Sequence, residues 1–189
     1  MKKAIILSIA GLTISNTLSF GAGNILLDTY DANHGFGIIT TYGDGPLVGQ
    51  GIDNTFTGVL LYSVNPITEA ATTPETVSLP LNPNWSVALS GTFGYPNEDG
   101  YIYSSYFHYS GSATTLYFEV AAFNGTSYAI GEIRGHSASF TATLVPTIVP
   151  PNADQLDNLQ PFQVFSVPEP VTLCLGGLGL STLFFFRRK

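Results

Sequence analysis

Between residues 22 and 167 the apolar, β-branched and aromatic positions fall in short runs bounded by turn residues. The runs occupy 25–30, 36–42, 55–64, 76–81, 86–93, 101–109, 115–123, 137–145 and 162–167. Gly43-Asp44-Gly45-Pro46, Asn65-Pro66, 96–100 and Asn124-Gly125 separate several of them and supply turn chemistry. Runs of this length, rich in Val, Ile, Thr, Tyr and Phe, predict β-strands. No long apolar stripe at i, i+3, i+4 interrupts them, and 12 Pro with 20 Gly would break most helices. The reading is an all-β domain, an antiparallel β-sandwich of immunoglobulin-like or jelly-roll type. Residues 128–134 are the one stretch read alternatively as a short helix.

The two ends follow other patterns. Lys2 and Lys3 precede an apolar stretch at 4–14, and residues 15–21 turn small and polar. That is the layout of a secretory signal, a short helix ending near Gly21 and too short to span a bilayer. Cleavage within residues 19–22 suits the small residues there. At the other end 171–186 is a run of 16 residues without charge, about 24 Å long as a helix at ~1.5 Å per residue. It predicts one marginal transmembrane helix. Arg187, Arg188 and Lys189 follow it and would hold the C-terminus in the cytoplasm, leaving the rest of the chain outside. The expected layout is a signal at 1–21, a β-domain at 22–145, a Pro-rich connector and terminal strand at 146–166, and a C-terminal segment at 167–189.

Charge placement sharpens this picture. Of the six basic residues, five lie in those ends, so Arg134 is the only Lys or Arg between residues 4 and 186. Removing both ends also takes Glu169, and leaves twelve acids against one base, a formal charge of about −11. Such a surface has nothing to replace the counterions of a phosphate backbone, which excludes nucleic acid as a partner. The single cysteine, Cys174, lies in the C-terminal apolar run, so the body forms no disulfide and depends on burial for stability.

Val167-Pro168-Glu169-Pro170, the apolar segment with Gly176, Gly177 and Gly179, and the closing Arg187-Arg188-Lys189 together resemble the PEP-CTERM sorting signal of exported proteins in Gram-negative bacteria. The two prolines fix their own φ and disfavour helix in the residue before each, which holds Glu169 in an extended, accessible segment. The resemblance implies passage through the general secretion machinery, transient anchoring in the inner membrane, and cleavage near the motif by an exosortase, a membrane cysteine protease. The product would then reach the cell surface or the extracellular exopolysaccharide matrix of a biofilm. The body, through residues 128–144 and 159–166, is similar to an uncharacterised group of PEP-CTERM proteins for which no activity is established.

Chemistry within the body is sparse. Asp28, Asp31 and His34 lie close together, and Asp44 and Asp53 sit in Gly-rich loops, but none fits a metal motif. No metal or other cofactor is expected; calcium is the one ion the acidic surface keeps open. His34, His108 and His136 lack zinc spacing, and no Gly-x-Ser-x-Gly elbow appears. The expectation is therefore no catalysis. Period-two alternation places Tyr101, Tyr103, Ser105, Phe107 and Tyr109 on one face of a single strand. With Trp85 nearby, Tyr101, Tyr103 and Tyr109 are candidate contacts for sugar rings; the competing reading places this stripe in the core. The functional expectation is a structural or interaction protein of the cell surface, with an exopolysaccharide-binding module as the alternative.

Overall fold

The computed structural model describes residues 23–30, 37–94, 99–145 and 156–168. The expected signal peptide, the transmembrane helix at 171–186 and most of the Pro-rich connector lie outside the described residues. Among the described residues, no helix is long and apolar enough to cross a membrane.

Among the described residues nine strands form: β1 Gly23–Asp28, β2 Thr40–Tyr42, β3 Phe56–Ser63, β4 Ser86–Phe93, β5 Ile102–Tyr109, β6 Thr115–Asn124, β7 Ile133–His136, β8 Phe140–Thr143 and β9 Phe162–Ser166. Eight of the nine expected runs hold one of them, and the run at 76–81 is the exception. There Thr76 and Val77 donate their amides back to the Thr73 carbonyl, and the segment closes into turns. Pro80 within it, and Pro74 and Pro83 on either side, remove amide donors that a ladder would need. The alternative helix at 128–134 is a single 3-10 turn at Tyr128–Ile130, after which β7 begins.

The mainly β expectation holds; the two-sheet sandwich does not emerge. The strands make one continuous sheet in the order β1-β5-β4-β3-β6-β7-β9-β2, with β8 also on β6. β6 is long enough to share one edge, pairing β8 through residues 115–118 and β7 through residues 121–123. The sheet curls into a half-barrel instead of stacking on a second layer. Reciprocal hydrogen bonds between Asn24 and Val145, at 2.8 and 3.1 Å, tie β1 to the chain leaving β8. Nor is the pairing wholly antiparallel, because β2 runs parallel to β9.

Two devices produce the curl. Register shifts occur between β1 and β5 at Leu26/Asp28 and between β3 and β4 at Leu60/Leu61, and such irregularities increase local twist. Gly58 and Gly91 face each other in register, and a Cβ on Gly58 would sit 2.1 Å from the Ile102 side chain. Their missing side chains let β5 fold in close over β3 and β4.

The concave side holds the main core. Ile25, Leu27, Phe56, Leu60, Ile102, Leu116, Phe118 and Val120 fill it, with Leu156, Leu159, Phe162 and Val164 from the C-terminal segment. β6 is buried on its other face too, where Ala121 and Phe123 join Leu61 and Tyr128 in a second apolar cluster. That cluster lies under residues 64–85, a strap that runs between β3 and β4 and contributes Leu81 and Trp85. Burial of both faces explains why β6 reads as a nearly unbroken apolar run instead of an alternating one.

Candidate functional site

Three places on this frame carry chemistry. The first is the aromatic strand β5. Asp28 pairs with Tyr103 and Leu26 with Tyr106, so two β5 residues oppose one residue of β1. The extra residue reverses the in-out alternation midway along the strand. Before it, Ile102 and Ser104 point inward; after it, Phe107 and Tyr109 pack on the core and meet the Tyr62 ring at 4.7 and 6.1 Å. The predicted single stripe is therefore split. Tyr101 is half-buried edge-on against Tyr30, and Tyr103 and Tyr106 stand on the outer face, 40% and 42% exposed. Trp85 is half-buried in the strap cluster, away from these two, and its indole N–H donates to Glu69 Oε2 at 2.6 Å. Of the four proposed sugar contacts, Tyr103 is the exposed one, while Tyr109 belongs to the core margin.

The second place was not anticipated. Glu119 on β6 is wholly buried beneath the strap, and neither carboxyl oxygen has a hydrogen-bond partner within ordinary geometry. Facing it is the His136 ring of β7, with Nδ1 3.4 Å from Glu119 Oε2 and 3.0 Å from the Ser137 carbonyl that it donates to. Burial raises the Glu119 pKa to about 7, offset in part by His136 and reinforced by the Glu69 carboxylate. For His136, burial lowers the pKa, but the contact with Glu119 outweighs it and the net shift is upward. Beside them Arg134 is buried over the Tyr128 ring and donates to the carbonyls of Val77, Ser78, Tyr128 and Ala129. It ties the strap to the 3-10 turn.

Other predicted ligands are scattered. Asp28 is buried and accepts the Tyr30 amide, Asp53 caps Thr55, and Asp44 accepts from the amide and hydroxyl of Ser166. His108 meets Asn24. Asp31 and His34 lie outside the described residues, and among those described no cluster of three metal-ligating side chains occurs.

The third place is where the body meets its C-terminal segment. β9 lies between β7 and β2, buried through Phe162, Val164 and Phe165. The ladder runs on into Val167, whose amide donates to the Glu132 carbonyl at 2.7 Å. Beside it Ala129, Ile130, Glu132 and Arg134 line an open cleft of about 610 Å³ together with Val167 and Pro168. Pro168 is exposed at the end of the described chain, and Glu169, Pro170, Arg187, Arg188 and Lys189 lie beyond it.

Residues 166–189 match the family described as the PEP-CTERM protein-sorting motif. The chain carries a PEP-CTERM sorting signal. It is thus marked for export and for processing by an exosortase. No curated protein and no solved structure matches the chain. The PEP-CTERM match covers the C-terminal segment alone, so any role of the β-body rests on its own surface.

Proposed function

We propose that the exported body is a non-catalytic structural or interaction protein of the cell surface or extracellular matrix. Its contact face is the bare outer side of β4 and β5. One observation carries this reading: Tyr103 and Tyr106 of β5 and Val87 of β4 are exposed on neighbouring strands drawn from uncharged sequence. No acid or base occurs from Thr76 to Asn97, nor between Asp99 and Glu119 apart from His108. On a body with twelve acids, that face is where a neutral polymer meets the least charge. Exposed tyrosines with apolar neighbours suit stacking against sugar rings, which favours exopolysaccharide as the second reading, a binding-module role. After processing, the body reaches the surface or the medium.

The test compares wild-type chain with the Tyr103→Ala/Tyr106→Ala double variant, both expressed in an exosortase-positive host. Both should be processed alike, and the variant should move from the matrix fraction to the medium. Equal retention of both in the matrix would overturn the assignment of this face. Retention lost from intact matrix but unchanged on purified exopolysaccharide would sink the polysaccharide reading alone.

A further inference from the structure

Strap 64–85 is held on the outer face of the sheet by a short list of contacts. Glu69 and Ser139 exchange backbone and hydroxyl hydrogen bonds at 2.9 and 3.0 Å. Thr72 donates its amide to the His136 carbonyl and accepts the His136 amide on its hydroxyl. Val77 and Ile67 are buried as apolar plugs. At the centre of these contacts three titratable groups converge from three elements: Glu119 from β6, His136 from β7 and Glu69 from the strap itself. Tyr128 of the 3-10 turn is the fourth neighbour, its ring 6.4 Å from His136. Among the described residues Arg134 is the only other charged group packed there, and its donors are directed to four carbonyls.

We propose that Glu119, His136 and Glu69 form a proton-controlled clasp that closes the strap over the outer face of β3, β6 and β7, and that raising the pH releases it. A buried carboxyl with no hydrogen bond at either oxygen is tolerable when neutral and costly when ionised. With the clasp protonated, Glu119 is uncharged and the imidazolium of His136 faces the remaining carboxylate. Loss of the first proton leaves two carboxylates sharing one cation; loss of the second leaves them with none, because Arg134 is committed elsewhere.

The sign follows from both folded values lying above the unfolded ones. The stabilisation is complete below the unfolded values and drains away as pH rises through about 7 for Glu119 and through the raised value of His136. What the strap uncovers on release is the apolar cluster of Leu61, Ala121 and Phe123, which makes the clasp a device for exposing a second contact face.

Hydrogen exchange on the full chain, corrected for intrinsic rates, tests this. Strap amides should lose about tenfold or more protection from about pH 6 to about pH 8.5, while β9 amides hold theirs. Fluorescence of Trp85, the single tryptophan, should report the same transition. Glu119→Gln should flatten the profile and keep the strap protected at high pH. Strap protection that does not change with pH, or a Glu119→Gln profile like that of wild type, would overturn the proposal. Should Glu119→Gln fail to fold, Glu69→Gln gives an independent reading: removing that carboxylate should move the midpoint down in pH, and an unmoved midpoint would refute the clasp.

Discussion

The two halves of the sheet's outer face differ in what covers them. Over β3, β6 and β7 lies the strap, and beneath it polar and charged side chains are buried along with the apolar ones: Glu119, Arg134 and Ser137 all sit in the interior. Over β4 and β5 no described residue performs that service, and Val87, Tyr103 and Tyr106 meet solvent. The strand patterns record the difference, since β6 is buried at seven of its ten positions whereas β4 is fully buried only at Phe93. A covered half must pair the polar groups it encloses or, as with Glu119, hold them neutral, so its substitutions are expensive. A bare half is free to be chosen for contact, so its substitutions should be nearly silent in stability and visible only in binding.

That contrast can be broken at several strengths. Phe118→Ala empties the core beneath the covered half and should cost about 3–5 kcal/mol in denaturant unfolding. A loss under about 1 kcal/mol would mean that β6 is not the centre of the fold. Arg134→Met should come next. It strips donors from four carbonyls while preserving much of the side-chain volume, for a cost of about 3 kcal/mol. If the variant matches wild type in urea midpoint, the strap is held by something other than this guanidinium. Trp85→Phe keeps the ring but removes the hydrogen bond to Glu69 and should cost about 1–2 kcal/mol. Its exchange signature should be confined to the strap; loosening of β9 would blur the distinction between the halves. Last, Tyr103→Ala and Tyr106→Ala on the bare half should each shift stability by no more than about 0.5 kcal/mol. A larger loss in calorimetry would show that the face is packed, not bare.

Much of the fold was legible because strand-forming runs and turn residues are local signals. Ser86–Phe93 was placed to the residue, and Thr115–Asn124 to within one. Partnership was not legible: period-two alternation tells which face of a strand is apolar but not which strand lies beside it. Thus a single curled sheet with a parallel β2-β9 pair read as an antiparallel sandwich. The irregularity in β5 was hidden for a similar reason, since Ser104-Ser105 carries no glycine or proline to announce it, yet one extra residue reassigned every aromatic that follows. The Glu119-His136 cluster has no motif, its members being seventeen residues apart on different strands and completed by a strap residue. Two signals pointed to it nonetheless. Glu119 is the one acid inside the apolar run from Leu116 to Phe123, and Arg134 is the body's lone base. By contrast, the sorting signal was readable in full, because its order of Pro-Glu-Pro, apolar run and basic end is contiguous and needs no fold to assemble it.

The account stands chiefly on that signal joined directly to a folded β-body at Val167. Intact-mass spectrometry of the protein recovered from the surface and medium of an exosortase-positive host tests it most directly. The predicted product lacks Val171 to Lys189 and retains β9 at its new C-terminus. A surface-exposed product whose mass still includes Arg187, Arg188 and Lys189 would contradict it.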